Sequence, residues 1–199
     1  MHACMHTCTC TGELGLNIEK LAKQSMKEAR EEEIQLRRAA GQHHELYISS
    51  KKCLELAVNR DGRYPVRDTG AMKSRSPACA VCGMGPLCKK VVALNIRQRS
   101  CAFCDKERRA KGVKKAAEAD HPLERCWRNT PRRTPSRLLE SQATVDMWKE
   151  LLDDGYAALT SISDADVAVF EKLKEESGIP EELLVMMLCM NHAMKNLVG

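Results

Sequence analysis

The chain has 199 residues, enough for one sizeable core with an appendage; 43% are apolar but only 4% aromatic, so that core is aliphatic and methionine-rich. No stretch approaches the roughly 20 consecutive apolar residues of a membrane span, and the start, Met1-His2-Ala3-Cys4, lacks the basic and apolar regions of a secretory leader. The net charge of +5 conceals two opposed blocks: residues 89–137 hold fifteen Lys/Arg against five Asp/Glu, and residues 140–182 hold twelve acids against three bases. A basic block beside an acidic one suits contact with a polyanion next to a carboxylate-bearing site, and equally suits two solvated faces that neutralise each other. Eleven cysteines, an odd number that includes the Cys-x-x-Cys pairs Cys79/Cys82 and Cys101/Cys104, indicate a reducing compartment rather than a disulfide framework.

Taken in chain order, residues 1–16 form a Cys/His-rich tail. From Asn17 to Gly41 the pattern is helical: Ile18, Ala22, Met26, Ala29, Leu36 and Ala40 recur at three- and four-residue steps, with Asn17 as cap and Gly41 as stop. Glu28, Glu31, Glu32 and Glu33, interleaved with Lys27, Arg30, Arg37 and Arg38, read as the solvated face of that helix. A strand is expected over 54–58, ending at an Asn59-Arg60-Asp61-Gly62 turn. Residues 65–77 are rich in Pro, Gly, Ser and Arg and read as a loop or a ragged strand. Val91 to Ile96 is a β-branched strand.

Residues 97–135 are basic, rich in Cys, His and Pro, and too poor in apolar residues to form a core of their own. Ser136 or Ser141 can cap a helix running to Asp154, with Leu138, Val145, Trp148, Leu151 and Leu152 on one face and Gly155 as stop. A strand over 156–162 exits at Ser163-Asp164-Ala165-Asp166, and a helix over 167–176 follows. Residues 183–190 suit a buried strand or a short helix. Strands alternating with helices give an α/β layer arrangement from residue 50 onward.

Three groups of residues carry candidate chemistry. Asp61 and Asp164 each follow an apolar strand, where α/β sheets place their sites, and carboxylate oxygens suit the hard cations Mg²⁺ and Mn²⁺. Asp166 could add a third oxygen ligand or cap the helix that begins there. Cys101 and Cys104, with His121 and Cys126, give a Cys-x₂-Cys-x₁₆-His-x₄-Cys set that Zn²⁺ accepts in tetrahedral sites. Cys79, Cys82 and Cys88 form a rival set, whereas Cys53 and Cys189 lie in apolar runs and read as core. Arg108, Arg109, Lys111, Lys114, Lys115, Arg132 and Arg133 supply charge for a nucleic-acid backbone.

The order of these motifs resembles the catalytic region of the Mutator-like DDE transposases, from about Leu21 to the last residue. The resemblance rests on Asp61-Gly62-Arg63-Tyr64, Cys101 with Cys104, His121 with Cys126 and Asn129, Asp164-Ala165-Asp166, and Cys189-x-x-His192 continued by Lys195. It implies an incomplete RNase H-like α/β core with a zinc-type insertion and an N-terminal helix. It also implies Asp61 and Asp164 as catalytic residues holding Mg²⁺ or Mn²⁺, a structural Zn²⁺, DNA as partner, possible homo-oligomers and a nuclear location, with the cytoplasm as alternative. The family's final Glu is expected downstream of Cys-x-x-His, and no acid follows His192. The expectation is therefore a fragment or repurposed copy, inactive as a transposase. The alternatives are a non-catalytic zinc-binding nucleic-acid adaptor, or a protein-interaction module that uses the N-terminal helix.

Overall fold

The computed structural model describes residues 12–64, 76–101, 106, 126, 128–131, 133–164 and 166–189. Its elements are α1 (Gly12–Ala39), β1 (Glu45–Ile48), β2 (Lys51–Arg63), β3 (Ala78–Met84), β4 (Val91–Gln98), α2 (Ser136–Asp153), β5 (Tyr156–Ser163), α3 (Val167–Glu176) and β6 (Val185–Leu188). A 3-10 turn at Glu181–Leu183 precedes β6. The chain is α/β, with one mixed sheet in the order β4-β3-β2-β5-β6 and β1 paired separately with β2.

The central strand is β2, which pairs antiparallel with β3 and parallel with β5. Its middle residues Leu56, Ala57 and Val58 are buried in succession, as are Tyr156, Ala157 and Ala158 of β5. Consecutive burial of this kind belongs to strands covered on both faces. Between Leu56 and Ala57 the β2–β5 ladder skips Leu159. A bulge leaves a ladder group without its strand partner. Trp148 of α2, fully buried, donates its indole N–H to the Ala158 carbonyl at 2.7 Å, so the bulge is closed by a side chain from the covering helix. Met147, Leu139, Val145 and Leu151 complete the face of α2 laid on the sheet.

The structure departs from the sequence expectations in identifiable ways. Helix α1 begins at Gly12, so Asn17 lies inside it rather than capping it. Its buried stripe is Ala29, Arg30, Glu33, Ile34 and Arg37, while Ile18 and Leu36 are exposed. The supposed solvated face is thus half structural. Glu33, wholly buried, accepts N–H groups from Leu87 at 3.0 Å and Cys88 at 2.8 Å, satisfying the turn between β3 and β4. Arg30 donates to the Val92 carbonyl at 2.9 Å, and Arg37 pairs with Glu55 at 2.9 Å.

Strands β1 and β3 were not legible. The β1–β2 hairpin turns on Ser49 and Ser50, both at positive φ (48° and 67°), without the Asn-Gly signature of such turns. Strand β2 does not stop at residue 58 but runs through Asp61 to Arg63. In α2, Leu138 is exposed and Leu139 takes the buried place; no side chain caps the helix, and Ser136 instead accepts the Ser76 N–H at 3.0 Å.

Trp148→Phe is expected to keep most of the ring volume but strand the Ala158 carbonyl in the bulge. It should lower unfolding free energy by roughly 2–4 kcal/mol in urea titration. A cost below about 0.5 kcal/mol would mean that the bulge is satisfied in another way.

Candidate carboxylate site at the end of the sheet

Asp61 sits on β2 opposite Cys82 of β3, which in turn faces Leu94 of β4. The last paired step of the parallel β2–β5 ladder joins Asn59 to Ile162. Asp61 lies two residues beyond the first, and Asp164 two beyond the second. Asp61 is still on β2, whereas Asp164 stands at the bend just past the end of β5; a one-to-one continuation of the register, on strands about 4.8 Å apart, would set the two level. Both are exposed at the carboxyl end of the sheet. Asp166, two residues on, accepts the Val169 N–H at 3.3 Å and caps α3, one of its two expected roles.

Side chains alternate along a strand, so Arg60, Gly62 and Tyr64 point to the face opposite Asp61, towards α2. Here the structure shows a residue that the sequence reading missed. Glu140 of α2 receives the Tyr64 hydroxyl at 2.8 Å and the Arg60 guanidinium at 3.5 Å. A Cβ at Gly62 would come within 2.6 Å of the Glu140 carboxyl carbon, so glycine is needed for that close approach. Burial raises the pKa of Glu140, against the lowering effect of Tyr64 and Arg60; the charges of Asp166 and Asp164 raise it further. Burial of the hydroxyl, then its bond to Glu140, holds Tyr64 protonated well above its ordinary range. The only sequence signal for Glu140 was an acid one turn into a helix beside a Gly-x-Tyr strand end, and nothing in the chain order ties those together.

The rival cysteine set does not assemble. Cys79 points to the core, where burial and then Glu140 push its thiol up to about 12, while Cys82 lies on the other face beside Asp61. Cys88 belongs to the β3–β4 turn against Glu33. Cys53 is core, as expected; Cys189 is half-buried and continues the β5–β6 pairing through its N–H to the Ser163 carbonyl at 2.8 Å. Among the described residues, no three His, Cys, Asp or Glu side chains gather closely enough to hold a metal ion by themselves.

Of the expected zinc ligands, Cys101 is buried and Cys126 half-buried, whereas Cys104 and His121 fall outside the described residues. So do Arg108, Arg109, Lys111, Lys114, Lys115, Arg132 and His192; Arg133 is exposed. The two legs of the insertion are nevertheless tied together. Asn129 accepts the Gln98 N–H at 2.7 Å and donates to the Ile96 carbonyl at 2.7 Å, while its own N–H meets the Gln98 carbonyl at 3.0 Å. Cys101 and Cys126 each stand three residues from this tie. Since β4 runs parallel to β2, the insertion leaves the sheet at the end that carries Asp61 and Asp164.

A groove of about 1000 Å³ lies elsewhere, between α1, β4 and α2, lined by Met26, Arg30, Leu94, Ile96 and Glu150 among others. None of Asp61, Asp164 and Asp166 lines it. Among the described residues, Asp61 and Asp164 are exposed and line no cavity.

With this geometry established, comparison with family models matches the chain to the Mutator-like transposase model over residues 9–199. The chain belongs to the Mutator-like transposase family. No curated protein and no solved structure matches it. The match takes in both aspartates, the insertion between them and the Cys189 motif. Among the described residues, no helix is long and apolar enough to cross a membrane.

The raised pKa of Glu140 carries a pH signature. Between the ordinary carboxylate range and the raised value, the folded chain holds a proton that the unfolded chain has lost, so stability falls as pH rises through that window. Glu150, also raised by burial, adds a similar slope. Urea midpoints measured from pH 4 to 8 should therefore show a shallower decline in Glu140→Gln than in the native chain, and parallel curves would show that Glu140 is not the titrating group.

Proposed function

We propose that this chain is the catalytic-core segment of a Mutator-like DDE transposase, built on an RNase H-like sheet and acting on DNA phosphodiesters in the nucleus. The observation that carries the reading is the parallel β2–β5 pairing, which runs to Asn59 opposite Ile162 and so brings the strand ends before Asp61 and Asp164 side by side. The topology supports it as well: three antiparallel strands, a covering helix, then two strands parallel to the first.

Two exposed carboxylates at one level fit a hard divalent cation, because Mg²⁺ keeps several waters and needs only one or two protein carboxylates. When bound, such an ion supplies charge stabilisation and activation of a water or 3′-hydroxyl at a phosphodiester. The chain's own residues do the rest. Asp61 and Asp164 orient the ion, and Asp166 fixes the exit of β5 by capping α3. The basic insertion, rising from the same sheet end, gives the DNA backbone a neutralising surface beside the carboxylates. Within the insertion, Cys101 and Cys126 flank the Asn129 tie, which supports one Zn²⁺ held by Cys101, Cys104, His121 and Cys126. A non-catalytic zinc-binding adaptor would need only this insertion and would be indifferent to either aspartate.

Metal binding is the first test, because it requires only the two strand ends. Mn²⁺ titration followed by electron paramagnetic resonance should show binding that weakens at least about tenfold in Asp61→Asn and in Asp164→Asn. Unchanged affinity in both variants would remove the catalytic reading in favour of the adaptor. Separately, elemental analysis should give one zinc per chain fewer in Cys104→Ser, and an unaltered content would place the zinc ligands elsewhere.

A further inference from the structure

Strand β4 ends the sheet on its antiparallel side, and its outer edge is only partly closed. In an antiparallel ladder each residue turns its N–H and carbonyl to the same side, and successive residues alternate. The Asn129 side chain accepts the Gln98 N–H and donates to the Ile96 carbonyl, so the even-numbered residues of β4 face outward. Arg30 meets the Val92 carbonyl at 2.9 Å in the same sense. Between these two stops the N–H and carbonyl of Leu94 and the N–H of Ile96 also face outward, and no described residue bonds them. Both residues are half-buried, where backbone groups call for partners.

That gap opens into the groove between α1, β4 and α2. Asn95 meets Glu150 and Arg97 meets Asp146 on α2, so strand alternation leaves Leu94 and Ile96 on the α1 side. The strand edge therefore lies in an apolar floor with a helix on either side. The two walls carry opposite charge. On α1, Glu19 occupies Lys23, which leaves Lys20 and Lys27 without an ion pair among the described residues. At α2, Arg30 occupies Asp154, which leaves Glu150 and Asp153 in the same position.

We propose that this slot takes one extended peptide segment of a partner protein, added to the outer edge of β4 as a further strand. The open backbone groups call for an extended chain, because a strand presents donors and acceptors at the same alternate spacing. The stops set its length: from Val92 to Ile96 is roughly 14 Å, room for about four paired residues. The walls set its composition. Side chains of an added strand alternate between the two helices, so the complementary segment turns acids towards α1 and bases towards α2. Its centre carries β-branched apolar residues over the floor. None of Asp61, Asp164 and Asp166 lines the slot, so the proposal stands apart from the cation reading.

The probe is a fluorescein-labelled peptide, Glu-Lys-Val-Ile-Val-Lys-Glu, titrated with the full 199-residue chain and read by anisotropy. It should bind saturably. Methylating its three central backbone nitrogens should weaken binding at least about tenfold, since the strand donors are lost while the side chains stay. Equal binding of the methylated peptide, or no saturable binding up to millimolar concentration, would overturn the proposal. Replacing both lysines of the peptide by Glu should weaken binding at least about threefold, and equal binding would overturn the pairing with opposed walls. Leu94→Pro removes the outward N–H and spares the inner ladder to β3, so it should also weaken binding about tenfold. The methylated peptide decides the matter on the native chain should that variant fail to fold.

Amide hydrogen exchange separates a partner peptide from other occupants. In the free chain the Leu94 and Ile96 amides should exchange quickly at every concentration, and the peptide should protect them. Protection in the free chain that does not depend on concentration would mean that a segment of the same chain fills the slot. Protection that grows with concentration would mean that a second copy does. Either result would overturn the proposal.

Discussion

The parallel pairing of β2 with β5 is the constraint on which the rest of the structure depends. Strands far apart in sequence, residues 51–63 and 156–163, meet in a register that is shifted once at Leu159 and then held. A slip by one residue would turn every side chain to the other face. Arg60 would then point to solvent and Asp61 to the core. Three devices hold the register: the doubly covered strand centres, the bulge satisfied by Trp148, and the inward Arg60–Ser161 contact just before the site. Two of them involve α2 or groups bonded to it, so the helix that covers the sheet also fixes its register.

The same helix supplies the acidic partners of polar side chains on the strands. Glu140, Asp146 and Glu150 lie on α2 and meet Arg60, Arg97 and Asn95 of the strands beneath. Buried polar contacts of this kind contribute less to net stability than to the choice of one arrangement, since each wrong alignment leaves a charge without its partner. Helix α1 applies the same principle at the opposite end, with Glu33 on the β3–β4 turn and Arg30 on β4. Helix α2 thus lies across both halves of the sheet, from β4 to β5, while α1 adds its contacts at β4, the β3–β4 turn and β2.

Much of the architecture was legible in the sequence where local pattern and tertiary demand agree. The 167–176 helix, with Asp166 as its cap, follows from a strand exit, a capping residue and apolar spacing, and it stands as read. The 91–96 strand is β-branched and extends only to Gln98. What escaped was set by contacts distant in sequence. The Ser49-Ser50 turn carries no turn signature, so β1 was invisible. Cys79 and Cys82 drew attention as a metal pair because spacing was read without the period of two that places them on opposite faces. The charges of α1 looked solvated because helical pairing rules know nothing of a hairpin turn that needs a carboxylate. Asp61 and Asp164 were legible as strand-end residues of neighbouring strands, and the residue skipped at Leu159 in the ladder that joins those strands was not.

Family membership and geometry bear on different claims. The family match covers the motif order, and the register covers the arrangement of two of its acids. Crystals of the chain soaked in Mn²⁺ and measured at the manganese absorption edge test the central claim most directly. The account predicts an anomalous peak bridging the Asp61 and Asp164 carboxylates on the face away from Arg60. A manganese bound at other acids, with those two carboxyl groups more than roughly 10 Å apart, would contradict it, because ions 3.5–4 Å apart must share ligands.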